Sequence, residues 1–97
     1  MHARVVTSQL QPGQKEEWIR ICRDSIVPAL RHQQGFKGFV LLADTKSDNS
    51  IAYSMWETEA DLKASETSGF YQEQVAKFRT VLVVPPVREI HELTSLT

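Results

Sequence analysis

Five apolar residues stand in succession from Phe39 to Ala43. A strand with one face in water alternates apolar and polar side chains, because neighbouring side chains point to opposite faces of the sheet. An unbroken apolar strand therefore calls for cover on both faces. Val5 and Val6 show the same lack of alternation. A chain of 97 residues has room for one core and no spare loop to lie over a second face. This tension between sheet pattern and chain length constrains the fold more than any other feature.

The rest of the chain divides by hydrophobic period. Ala3 to Leu10 reads as a first strand ending at the turn Gln11-Pro12-Gly13. From Gln14 the period lengthens. Trp18, Cys22, Ser25, Ala29 and His32 lie three or four apart, with Ile19, Ile26 and Leu30 widening the stripe. This predicts an amphipathic helix of about 20 residues closing at Gly35, with Pro28 kinking it by removing a backbone donor. Phe36 to Asp44 and Ile51 to Glu57 read as strands joined by the polar turn around Asp48-Asn49-Ser50. Thr58 offers a cap oxygen to a second helix, with Asp61 three residues on. That helix breaks near Ser68-Gly69, resumes through Phe70, Val75 and Phe78 to about Val81, and is stopped by Pro85-Pro86. Val87 to Leu93 is the last strand.

Strand, helix, strand, strand, helix, strand is the split βαβ order of the ferredoxin-like α+β class, with a four-stranded antiparallel sheet and two helices on one face. The other face stays bare. Burying about 400 Å² more apolar surface at ~25 cal/mol per Å² is worth on the order of 10 kcal/mol before ordering costs. The pattern therefore predicts a homodimer through the sheet face.

Composition narrows the partners. Eleven Lys and Arg against twelve Asp and Glu, with signs interspersed, argue against nucleic acid and anionic membranes. No apolar run approaches the ~20 residues that span a bilayer, and the start has no secretory pattern. Cys22 is the one cysteine, which excludes an intrachain disulfide and a cysteine-based zinc site. A cytoplasmic setting fits. The three histidines, His2, His32 and His91, have no metal-ligand spacing, so no metal is expected. The chain reads as one domain, residues 1–97, without repeats or linkers.

Pro12-Gly13 before a helix, Gly35-Phe36-Lys37-Gly38-Phe39 after it, Ser54-Met55-Trp56-Glu57-Thr58-Glu59-Ala60-Asp61 beyond, and Ser68-Gly69-Phe70-Tyr71 resemble the antibiotic biosynthesis monooxygenase family across nearly the whole chain. The resemblance implies a dimeric α/β barrel. The activities it implies range from cofactor-independent oxygenation of polyketide phenols and quinol oxidation to haem degradation and sugar isomerisation. Trp56 matches the family tryptophan on the third strand. The polyketide oxygenases carry an Asn four residues before it, where this chain has Ala52. The haem-degrading members add an Asn on the first strand and a His about ten residues past the Trp. Here those regions read Val5-Val6-Thr7-Ser8 and Glu66, which argues against haem degradation and leaves no cofactor expected.

By alternation Trp56 shares a face with Ala52 and Ser54, the face assigned to the helices. Trp56 serves equally well as the wall of an aromatic-substrate pocket or as core. Ser54 can orient a ligand, or bond a neighbouring carbonyl. His32 and Tyr71 are the candidate proton acceptors, against the plainer readings of a surface histidine at a helix end and a helix-start tyrosine. His91 reads as structural, and Cys22 as a small apolar core residue.

Two functions follow. One is a cofactor-independent monooxygenase acting on a small phenol or quinol, with Trp56, Ser54 and Ala52 lining the pocket and His32 or Tyr71 taking the proton. The other is a non-catalytic dimer that binds a small molecule or partner protein on the same scaffold, a reading that Ala52 in place of Asn favours.

Overall fold

In the computed structural model, which describes residues 1–96, four strands and two interrupted helical regions follow the expected order. β1 spans His2–Gln9, β2 Phe36–Ala43, β3 Asn49–Trp56 and β4 Val87–Glu92. They form one sheet in the order β2-β3-β1-β4, and every adjacent pair is antiparallel. The ferredoxin-like α+β class is thus shown. Among the described residues, no helix is long and apolar enough to cross a membrane.

The two faces of the sheet differ in covering. On β3, Ser50, Ala52, Ser54 and Trp56 are buried under the helices, while Ile51, Tyr53 and Met55 alternate onto the other face and are only partly buried. Phe39 and Leu41 of β2 pack against the core. Val40 and Leu42 point the opposite way and are 44% and 48% exposed in the single chain. The apolar run of β2 is thus covered on one face only within one chain. A bulge at Lys37 adjusts the strand: Phe36 pairs with Trp56, whereas Gly38 already pairs with Met55. The extra residue lets Phe36 and Phe39 both turn toward the helices, and Lys37 meets Glu57 at 3.1 Å on the surface. Phe36 then stands edge-on to the Trp56 ring, centroids 5.7 Å apart.

The first helical region departs from the expected regular winding. α1, Lys15–Ile21, passes into a π-helical turn over Cys22–Ile26 and then into α2, Val27–Leu30. The wide turn is marked by the Val27 N–H donating to the Cys22 carbonyl, five residues back. It sits just ahead of Pro28, which can neither donate to the preceding turn nor fit closely against its carbonyl. The turn also resets the buried face. At about 100° per residue, positions four apart drift by ~40° per step, and one extra residue takes back about 100°. Trp18, Cys22, Ile26 and Leu30 therefore all stay on the core. Ser25, Ala29 and His32, expected on the buried stripe, are displaced from it, and His32 is exposed in the turn that follows.

α3, Glu59–Thr67, begins as expected: the Thr58 hydroxyl accepts from the Asp61 N–H at 3.0 Å. Gly69, at φ +88°, ends it and starts α4, Phe70–Phe78, which runs into a 3-10 turn over Arg79–Val81. Leu10, just past β1, bridges to Leu82 and closes that end of the core. Trp18 fills the centre, its ring 4.3 Å from Phe78 and its indole N–H donating to the Ser50 hydroxyl at 2.8 Å. Cys22 is buried beside them. Burial pushes its thiol up to about 12, so it stays a neutral, unreactive thiol.

The π turn makes a direct prediction. Ile26→Ala should cost about 2–4 kcal/mol, the range for emptying a core isoleucine site. Ser25→Ala and His32→Ala should stay within about 0.5 kcal/mol. Urea unfolding of the three variants decides between the wide turn and an unbroken α-helix, in which Ser25 would share the buried face.

Candidate functional site

The register of β1 and β3 sets a floor under the helices. Arg4 lies directly opposite Ser54, and Val6 opposite Ala52. Ala52 and Ser54 are small, so the floor is low between the bulky Trp18 and Trp56 at either end of the strand. Over it α4 lays Tyr71, Gln74 and Phe78, three and four residues apart on one helix face. The first helical region contributes Trp18, Ile26 and Leu30. Between these layers lies a cavity of about 40 Å³, largely apolar, whose polar edges are Arg4, Ser54, Tyr71 and Gln74. Tyr71 is also a wall of an outer groove of about 210 Å³ beside Arg79, Pro86 and Arg88.

Arg4 dominates the electrostatics, and the sequence reading did not single it out. It is 3% exposed, on the helix-facing side of β1. Its Nη1 donates to the Ser65 hydroxyl at 2.8 Å and to the Glu66 carboxylate at 3.4 Å. Glu66 is held from its other side by Arg88 at 3.0 Å. The guanidinium stands 4.5 Å from the Tyr71 ring centre and 5.4 Å from that of Trp56. Burial pushes the Arg4 pKa down and Glu66 pushes it back up; an arginine stays charged through such shifts. Among the described residues, Nη1 makes all of its hydrogen bonds, so Nε and Nη2 are available to a ligand.

The other expected residues divide. Ser54, Ala52 and Tyr71 line the cavity, as the expected pocket requires. The Ser54 hydroxyl accepts from the Trp56 indole N–H at 2.9 Å, which leaves its own proton free to donate. Trp56 itself is fully buried and lies behind the lining, packed against Phe36 and beneath Arg4. His32 is not brought to the cavity. The shift of helix face carries it to the surface, so a role for it as base there has no geometric support. Tyr71 is well placed but its phenol is held protonated: burial raises its pKa, and Arg4 and Arg88 only partly offset this. At neutral pH it is a hydrogen-bond donor, not a proton acceptor.

Gln74 is the second residue that sequence reasoning passed over. It is buried, its Nε2 donates to the Phe70 carbonyl at 3.5 Å, and its Oε1 has no partner among the described residues. Among the described residues, no three or more of His, Cys, Asp and Glu stand close enough to hold a metal.

The fold agrees with comparison to known proteins. The family model for antibiotic biosynthesis monooxygenase matches residues 1–79, which takes in β1 to β3, both helical regions and every residue of the cavity. The chain belongs to the antibiotic biosynthesis monooxygenase family. It is 37% identical over 79 residues to Rv2557, an uncharacterized protein of Mycobacterium tuberculosis, a match covering 81% of this chain and 33% of that protein. Rv2558 of the same organism is 38% identical over 65 residues, covering 67% of this chain and 28% of that one. The chain thus spans about a third of the length of these curated relatives. Among solved structures, the monooxygenase from ActVA-Orf6 of Streptomyces coelicolor, in complex with nanaomycin D, superposes with a TM-score of 0.75 at 20% identity, covering 99% of this chain and 89% of that one. Rv0793 of Mycobacterium tuberculosis gives 0.74 at 14%, covering 99% and 98%. At these identities the likeness establishes the fold.

Tyr71 provides a titration to check the site. A phenol raised by folding favours the protonated form, so its contribution to stability is full below the ordinary value of about 10 and is lost as pH rises through the folded value. Absorbance at 295 nm should therefore show one tyrosine ionising late. In Arg4→Met that step should move later still, because a cation that lowers the phenol pKa is gone. An unchanged or earlier step would mean that Arg4 does not face Tyr71.

Proposed function

We propose that this chain is a cofactor-independent monooxygenase that takes a small phenol or quinol between its sheet and helices and works as a homodimer joined through the bare sheet face. The observation that carries the reading is Arg4: a buried cation, with donors unspent, set beside two aromatic rings at the edge of an otherwise apolar cavity. A flat aromatic oxyanion is the ligand such a setting suits, since the cation stabilises the charge and the apolar walls exclude water. In this chemistry the deprotonated substrate itself passes an electron to dioxygen, and the protein's task is to hold the anion, desolvate it and keep it in one orientation.

Roles follow from position. Arg4 stabilises the substrate oxyanion. Ser54 and Tyr71 donate hydrogen bonds that orient the ring. Trp56 acts from behind, fixing the Ser54 hydroxyl through its indole N–H and backing the Arg4 guanidinium. With His32 on the surface and Tyr71 protonated, the substrate proton leaves to solvent as the anion enters. The Arg79 and Arg88 side chains beside Tyr71 favour that anion at the mouth. The cavity is small against the ~300–1,000 Å³ of ordinary ligand clefts. Entry therefore includes displacement of Tyr71 toward the outer groove.

The homodimer rests on the uncovered face. Val5, Val40, Leu42, Ile51, Tyr53 and Met55 form an apolar surface there across β1 to β3, edged by Thr7 and by Val87 and Glu89 of β4. Monomers rarely leave such a surface in water.

Oxygen uptake with a panel of anthrone-like phenols and hydroquinols tests the activity. Turnover is expected in the parent chain, with Arg4→Met about 10²- to 10³-fold slower, the usual loss when a donor to a developing oxyanion is removed. Saturable ligand binding without turnover by the parent chain would favour a non-catalytic binding protein. Sedimentation at micromolar concentration should give a dimer, and Leu42→Lys should shift it to monomer. A monomeric parent chain would sink the proposed assembly.

A further inference from the structure

Gln74 offers the cavity something that the proposed reaction does not by itself require. Its side chain is 94% buried by the 6% exposure of the residue, and it lines the cavity. The amide orientation is set by the helix: Nε2 is the atom that reaches the Phe70 carbonyl, so Oε1 is turned away from that carbonyl. No protein donor meets Oε1 among the described residues. A buried acceptor without a partner costs free energy comparable to a lost hydrogen bond; His2 Nδ1 and the Ser8 hydroxyl are also buried without partners, and of the three only Gln74 lines the cavity. The same cavity presents unspent donors from Arg4. One edge of the space thus gives hydrogen bonds and another asks for one.

We infer that Gln74 is a specificity residue that selects the reduced, hydroxyl-bearing form of an aromatic ligand over its oxidised, carbonyl form. The inference rests on the proposed aromatic ligand and adds to it a direction of preference. A singly ionised hydroquinone meets both demands: its oxyanion accepts from Arg4, and its remaining hydroxyl donates to Gln74 Oε1. The matching quinone still accepts from Arg4, but its second carbonyl sets lone pairs against those of Oε1. The penalty falls on one contact. A site built to receive a substrate hydroxyl rejects the analogue lacking it far more strongly than an apolar pocket does, because the site's own polar group is then left unpaired. The selection also gives a reason for product to leave: when dioxygen takes two electrons and the remaining hydroxyl proton from the hydroquinone monoanion, giving hydroperoxide and the quinone, the group that donates to Gln74 Oε1 is gone.

The test is anaerobic binding, read by quenching of tryptophan fluorescence, with tetramethylhydroquinone and tetramethylbenzoquinone. These two compounds share a ring and its substituents, and neither has a ring C–H for thiol addition. The parent chain is expected to bind the hydroquinone at least about tenfold more tightly than the quinone, the scale of one buried hydrogen bond left unmade. Gln74→Met, close in volume, should bring the two within about twofold while retaining affinity for the quinone. The parent-chain comparison stands even where the variant fails to fold. Equal affinities in the parent, preference for the quinone, a preference that survives Gln74→Met, or no binding of either compound each overturns the inference. Hydroquinone preference without oxygen uptake in air would leave it standing and sink the oxygenase reading, whereas oxygen uptake without the preference would do the reverse.

Discussion

The alternation of β3 is the constraint on which the rest of this structure depends. Most strands that separate a helical layer from a second surface put their bulk under the helices. This one does the reverse along most of its length: Ser50, Ala52 and Ser54 face the helices, and Ile51, Tyr53 and Met55 face away. Two consequences follow from the same pleat. Under the helices the small side chains leave space that Trp18, Phe39 and Phe78 narrow without closing. On the far side, the large ones make an apolar sheet face that no segment among the described residues covers. The cavity and the case for a partner are thus two products of one strand pattern, and a one-residue slip of β3 would exchange them.

The polar residues of the core are arranged around that low floor. Ser50 and Ser54 each take an indole N–H, from Trp18 and Trp56 respectively, so that two large aromatics are buried without an orphaned donor. The Ser50 hydroxyl donates in turn to the Leu42 carbonyl, which ties β3 to its neighbour, while Ser8, opposite Ser50 on β1, keeps a buried hydroxyl without a partner among the described residues. At the other end the Ser54 proton finds no acceptor among the described residues, and there Arg4, Tyr71 and Gln74 gather.

Much of the frame was legible in the sequence, because it is written in local patterns. The strand order, the Thr58 cap, the break at Gly69 and the face shared by Ala52, Ser54 and Trp56 all come from period, capping chemistry and turn residues. The π turn was not legible in the same way. A period of 3.6 assumes that rotation per residue is constant, and it placed Ser25, Ala29 and His32 on the core together with Ile26 and Leu30, of which only the last two are buried. The clue was present in Trp18, Cys22, Ile26 and Leu30, which repeat every four residues ahead of and around a proline. Arg4 and Gln74 were missed for a different reason. A charge in a strand and an amide in a helix ordinarily mark the solvent face, and only the tertiary pairing of β1 with α3 and the seating of α4 on the floor bring Glu66 to one and the cavity to the other.

The position of Ala52 gives these misses a common meaning. By resemblance, the polyketide oxygenases place an amide there, on the strand beneath the helices, to support the substrate anion. In this chain the methyl group of Ala52 cannot do so, and the amide and the cation reach the same space from other elements: Gln74 from α4 and Arg4 from β1. The substitution lowers the floor by the volume of an amide and moves polarity from the centre of the cavity to its edges. A ligand held at its edges by a donor at one and an acceptor at the other must carry complementary groups at a fixed separation, whereas one held at its centre need present only a single oxygen. Under the proposed function, Ala52 would make room for a ligand recognised at both ends, and the identity of that ligand would depend on the distance between two residues that lie 70 positions apart in the chain, Arg4 and Gln74.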